Sequence, residues 1–246
     1  MKKIVFILLC MIIPVIALSQ ETKHVIVDEV SVTPPKFMHS EQIVQIVQEE
    51  TTSLLDYLTQ KFVYPEEWKL LYQGIEVIQF TVTEKGELEN FVAVNSIAPV
   101  VDDYIIELIK TTEGLWKPGT NNGEPIAMEK EVAMQIKTGE VEGSPYIKSF
   151  KALATNYYKQ GSKQLLIKGH SKRALKRFDN AVQFAPYEKS ALMMRGLCRY
   201  EIGDTDGARQ DWIRLKELGG IDMEAPYFSQ VKHLKGYEEL AFILSE

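Results

Sequence analysis

Apolar and polar residues alternate along Gly74–Val82, with Ile78, Phe80 and Val82 on one side. They alternate again along Leu88–Asn95, which places Leu88, Val92 and Val94 together. A half-buried strand requires this period of two, because successive side chains leave opposite faces of the pleat. Thr83-Glu-Lys-Gly86 joins the two runs and supplies a glycine where a tight hairpin needs positive φ. The period then lengthens: Val101, Tyr104, Ile105, Leu108 and Ile109 recur at helical spacing, and Gly114 reads as the stop. After Trp116-Lys-Pro-Gly119 and the turn pair Asn122-Gly123, a third alternating run sets Val132, Met134 and Ile136 on one face. The order hairpin, helix, strand describes a small α+β unit.

Upstream, His24–Asp28 is β-branched and is closed by Pro34-Pro35, as a strand or as an extended lead-in. Ser40 to Phe62 carries a helical stripe of Ile43, Val47, Leu54, Leu58 and Phe62, with Ser40 as its cap. It reads as one helix or as two broken at Glu49–Ser53, and Tyr64-Pro65 ends it. Downstream, Thr138–Pro145 has the glycines, proline and missing apolar period of a linker. Beyond it the spacing is helical to the end. Ala174-x-x-x-Phe178-x-x-Ala181-x-x-x-x-Pro186 is echoed 34 residues later by Ala208-x-x-x-Trp212-x-x-Leu215. Gly196-x-Cys198-x-Tyr200-x-x-Gly203-Asp204 precedes the second copy with a small crossing residue and an interhelix turn.

Composition adds three constraints. First, Lys2-Lys3 followed by a nearly apolar Ile4–Leu18, with Ala17-Leu-Ser19 before Gln20, has the build of an export signal. Its apolar run, interrupted by Pro14, is shorter than the ~20 residues of a spanning helix, and the alternative is an uncleaved anchor. Second, the formal net charge of −6 becomes −8 once Lys2 and Lys3 leave with the leader. An acidic body without a dense basic run argues against nucleic acid and against electrostatic docking on anionic lipid. Third, Cys198 is then the remaining thiol, set in an apolar helical pattern as a small core residue.

Pro35-x-Phe37, Leu55-x-Tyr57-Leu58, Tyr64-Pro65, Gly74-x-x-Val77-x-x-Phe80-x-Val82 and Gly86 succeed one another in a recognisable order. Val92-x-Val94-x-Ser96, Trp116-x-Pro118-Gly119 and Asn122-Gly123-x-Pro125 continue it. Together they resemble the C-terminal domain of TonB-family proteins over about Pro35 to Lys137. The resemblance implies a three-stranded antiparallel sheet on two helices, no catalysis and no cofactor. It also implies a sheet edge that pairs with an extended peptide, such as a segment of an outer-membrane transporter. Met38-His-Ser-Glu41 stands where many members carry Gly-Gly, and neither the inner-membrane anchor nor the proline-rich spacer of an energy transducer is read here. Peptide or partner binding is the activity that this leaves. The 34-residue echo in turn resembles tetratricopeptide repeats, clear over Arg195–Gly219 and degraded in the first copy, where Ser162 and Leu165 take the small and aromatic positions.

The expected organisation is a signal peptide (residues 1–19), a lead-in (20–34), a TonB-type domain (35–138), a linker (139–145) and a repeat domain (146–246). Too few repeats are present to stand alone, so a helix over Val231–Ala241 is expected to cap them. The histidines at 24, 39, 170 and 233 lack metal-ligand spacing, and no nucleophile elbow, phosphate loop or dinucleotide fingerprint is present. Asp102-Asp103 reads as capping the helix after Pro99 rather than sharing a proton, and Trp116 as a core plug.

Two binding surfaces are expected in an exported, periplasmic protein, possible partners including the outer membrane's own transporters. One is the edge strand Glu129–Lys137, with Glu131, Ala133 and Gln135 outward, unless Val25–Val27 or the repeats cover it. The other is the repeat groove, with Asn156, Lys159, Lys163, Met193, Leu197 and Tyr200, unless the capping helix fills it.

Overall fold

The computed structural model describes residues 30–38, 53–68, 71–137 and 149–245. In chain order its first part carries β1 (Val32–Thr33), β2 (Lys36–Phe37), α1 (Leu54–Lys61), β3 (Gly74–Val82) and β4 (Leu88–Asn95). Then come α2 (Pro99–Lys110), β5 (Trp116–Lys117), β6 (Gly119–Asn121), β7 (Glu124–Ile126) and β8 (Met128–Ile136). The fold class is α+β. β3 is the central strand of a three-stranded antiparallel sheet in the order β4-β3-β8.

One face of that sheet is the core. Ile78, Phe80 and Val82 from β3 and Val132, Met134 and Ile136 from β8 are buried there with Val101, Ile105 and Ile109 of α2 and Leu58 of α1. Each such side chain contributes about 1.5–3 kcal/mol when fully buried. Ser53 caps α1 by accepting the amide of Asp56, so the described helix starts there. The expected cap Ser40 and the stripe residues Ile43 and Val47 lie outside the described residues, as do the leader, Val25–Val27 and the linker. Trp116 is buried, with its indole donating to Thr112 Oγ1 at 2.9 Å and its ring against Phe37 and Phe80. Gly86, at φ +81°, turns the β3–β4 hairpin so close to the Trp116 carbonyl that a Cβ would overlap it.

β4 departs from simple alternation. Its register to β3 shifts between Val77 and Ile78 and again between Gln79 and Thr81, and Asn90 sits at φ +54°. A bulge inserts a residue and turns the rest of its strand to the other face. Leu88, Phe91 and Ala93 therefore pack on the core, Phe91 stacking on Phe80, while Val92 stays exposed and Val94 faces away from the core. The expected trio Leu88, Val92, Val94 is split.

Short pairings tie the lead-in to this unit. Val32–Thr33 pairs with Thr120–Asn121 of β6, and Phe37 pairs with Trp116 of β5. Residues 32–33, expected in the lead-in, thus join the domain.

The second part is helical: α3 (Phe150–Ser162) running into a π-helical turn at Lys163–Ile167, α4 (Ser171–Phe184), α5 (Lys189–Glu201), α6 (Thr205–Glu217) and α7 (Tyr237–Ser245). The helices from α3 to α6 pack consecutively through short turns, which makes each of those pairs antiparallel, and α7 packs on α6 after a longer connection. Two equivalent crossings hold the stack. A Cβ at Gly161 would overlap the Phe178 ring, and one at Gly196 would overlap the Trp212 indole. Phe178 and Trp212 are 34 apart, whereas Gly161 and Gly196 are 35 apart. The extra residue of the first hairpin coincides with the π turn, whose i→i+5 bonding absorbs one residue. The small position of the first copy is therefore Gly161, not the expected Ser162.

The cap also differs from expectation. Val231 and Leu234 are buried in the helical core, but the chain there is a series of turns after a 3-10 segment at Pro226–Gln230, and α7 begins only at Tyr237. Gly236 lies so close to Tyr200 and Trp212 that a side chain there would clash.

Candidate functional site

β8 has nine consecutive register partners on β3, from Gly74↔Ile136 to Val82↔Met128, and among the described residues no strand pairs with its other margin. Val25–Val27, expected as one of the covers, lies outside the described residues, and β1 pairs with β6. An unpaired margin carries main-chain donors and acceptors at strand spacing, the feature that accepts an added strand.

Of the outward residues, Ala133 is half-buried and Gln135 exposed, while Glu131 is engaged by the protein itself. Arg214 of α6 donates through Nη2 to both Glu131 oxygens, at 2.8 and 2.6 Å, and Tyr187 donates to Oε1 at 2.7 Å. The guanidinium also lies over the Tyr187 ring at 5.7 Å. Burial, then the bond to Glu131, pushes the Tyr187 phenol far above its ordinary range. Glu131 is thus a clasp between sheet and helices and not a residue free for a ligand. Sequence reasoning missed Arg214 and Tyr187, because a contact 83 residues away leaves no local pattern.

Val77 is fully buried although it lies on the face opposite the core, because α4 packs on β3 there. Gln183 of α4 donates to the Gln73 carbonyl at 2.7 Å. Beside this junction lies a cleft of ≈630 Å³. Val92 to Ser96 form one wall, and Arg195, Arg199, Gln210 and Asp211 are among the residues of the other. Asp211 is buried and takes Arg195 Nε at 3.0 Å and Arg199 Nη1 at 3.0 Å, so the charges on that wall compensate one another. The outer margin of β4 borders this cleft, and its first amide, Leu88 N–H, donates to Glu113 at 3.2 Å. β8 is the less encumbered margin.

A buried carboxyl sits under the sheet's end. Glu76 is in the inward phase of β3 with Ile78 and Phe80, and is fully buried. Its Oε2 accepts the Ile97 amide at 2.9 Å, and its Oε1 has no donor aimed at it. Burial above all, and then the neighbouring Asp102, raises its pKa to about 8, so Glu76 holds a proton at neutral pH. Asp102 itself takes Ser96 Oγ at 2.7 and 2.9 Å, and the residue at the N-cap of α2 is Ala98, with no side-chain cap bond. The expectation that Asp102 caps the helix with its side chain is corrected.

The repeat groove does not hold its expected residues together. Met193 and Leu197 are fully buried in a core shared with Phe228, Val231 and Leu234, because the C-terminal segment packs into that core. Tyr200 is stacked on Trp212 and pressed by Gly236. Asn156, Lys159 and Lys163 are exposed on α3 and its π turn. Among the described residues no three His, Cys, Asp or Glu converge as a metal site, and His39 lies outside them. No described helix is long and apolar enough to cross a membrane. Compared with family models, with curated proteins and with solved structures, the chain matches none of them.

Proposed function

We propose that this is an exported, non-catalytic binding protein of the bacterial envelope, whose residues 31–137 act as a TonB-type C-terminal domain. An extended segment of a partner adds to the free margin of β8, its main chain continuing the sheet. Residues 150–245 are read as two tetratricopeptide-like hairpins closed by their own C-terminal segment, which hold the sheet from its outer face through Glu131. The observation that supports this reading is the nine-residue β8, fully paired on one side and joined by no described strand on the other. The hairpin–helix–strand order around a three-stranded antiparallel sheet agrees with it. The non-catalytic part and the envelope location rest on the resemblance and the leader of the sequence.

The test is amide exchange with a decapeptide selected from a random library on the immobilised protein. Peptide binding should slow exchange within residues 129–137, and Ala133→Pro should abolish binding while leaving thermal unfolding within a few degrees of the parent. Protection confined to the helices, or capture unchanged by the proline, would reject strand addition at β8.

A further inference from the structure

We propose that the distal end of the α3–α4 hairpin is a docking surface for an anionic phospholipid bilayer. Between residues 159 and 177 the chain has seven Lys/Arg and no Asp/Glu, so the net −6 is the sum of +7 here and −13 elsewhere. The acidic total argued against such docking, but a total averages over a surface that salt screening divides into patches about 8–10 Å across. The dense basic run is local.

The fold gathers these charges at one end of the hairpin. On α4, Lys172, Arg173, Lys176 and Arg177 are exposed along one stripe, opposite the buried Ala174, Phe178 and Ala181. Lys168 sits in the turn and Lys163 in the π turn, both exposed, and Lys159 lies one helical turn earlier. Among the described residues none of them takes part in an ion pair, whereas Arg195, Arg199, Arg209 and Arg214 all do. A shallow recess of ≈290 Å³ lined by Gln164, Arg173, Lys176, Arg177 and Asn180 offers room for a phosphate.

Which polyanion this suits is decided by the apolar residues. Ile167, at the end of the π turn between Lys163 and Lys168, is 77% exposed. An aliphatic side chain ringed by cations fits an interface whose headgroups are anionic and whose interior is hydrocarbon. A single-stranded nucleic acid would instead call for several aromatic rings to stack with bases, and residues 159–177 contain no Phe, Tyr or Trp and one ring in all, His170.

The experiment is co-sedimentation of the chain from Gln20 to Glu246, which keeps the whole unit from Ser31 onward, with vesicles of phosphatidylglycerol and phosphatidylcholine or of phosphatidylcholine alone. Binding is expected on the anionic vesicles only and should fall away as salt rises from about 0.1 M to about 0.5 M. Lys172→Glu with Arg173→Glu and Arg177→Glu should weaken it by about a hundredfold or more, and Ile167→Ser by about tenfold. The same charge change at Lys36, Lys117 and Lys216 should leave it unaltered, with circular dichroism reporting that all variants are folded. Undiminished binding after reversal of the tip charges overturns the proposal. So does an Ile167→Ser protein that binds like the parent, or a short DNA duplex that binds as tightly as the vesicles, since either marks a general polyanion surface.

Discussion

Glu76 shows how one residue makes the folded state sensitive to proton concentration. Its carboxyl is raised from an ordinary 4.5 to about 8 by burial and by Asp102. Between those values the folded chain keeps a proton that the unfolded chain releases, so this group's contribution to stability is full at low pH and declines as pH rises through the window. Glu76→Gln keeps the size of the side chain without the titration. The expected outcome is a melting temperature that falls less between pH 5 and pH 8 in the variant than in the parent, read by calorimetry; equal slopes would remove Glu76 as the source. The signal for this site was present in the sequence. Glu76 stands in the same alternating phase as Ile78, Phe80 and Val82, a carboxylate where the pattern calls for an apolar side chain. What could not be read was its partner, because Asp102 comes from another element 26 positions on.

At the scale of elements, the sequence spoke clearly wherever a period was unbroken. β3, β8 and α2 follow the alternating or helical spacing of their apolar residues through to the buried set. It misled wherever a single extra residue shifted the phase. In β4 the bulge at Asn90 exchanges the inward and outward sets, since a slip of one residue flips every later side chain. In the first helical hairpin the π turn moves the small crossing residue from the expected position to Gly161. Such insertions leave composition unchanged and show only in three dimensions. The bulge depends on a left-handed backbone at Asn90, φ +54°, which asparagine tolerates and a β-branched residue does not. Asn90→Val is expected to cost about 1–3 kcal/mol in urea unfolding, and Asn90→Gly less than about 1 kcal/mol. A valine variant as stable as the parent would mean that the bulge is not anchored there.

Across the molecule, sheet and helices are fastened at few points, with the Glu131–Arg214–Tyr187 clasp the most polar of them. Both ionised side chains are largely shielded, at 25% and 19% exposure, which lifts the pair above an exposed surface bridge. A double-mutant cycle of Glu131→Ala and Arg214→Ala should give a coupling of about 1 kcal/mol or more, and the double variant should unfold in two separated steps. Additive single effects with one transition would place the fastening elsewhere. Neither this clasp nor the charged hairpin end was legible from totals, because both depend on which distant segments meet and on where charge collects. The acidic sum concealed a basic end, whereas a cover over Met193 and Leu197 stood among the expectations and differs only in being built of turns rather than of one helix.

The sheet has two margins but they are unequal: β4 turns its outer side to the cleft and has its leading amide taken by Glu113, while the outer side of β8 meets no strand among the described residues. A building block with one sticky side terminates whatever it begins. Two copies meeting β8 to β8 about a twofold axis would use up both, and nothing would be left for a third. Runaway growth into fibres, the hazard of sheets that are adhesive on both sides, would have to recruit the outer side of β4 as well.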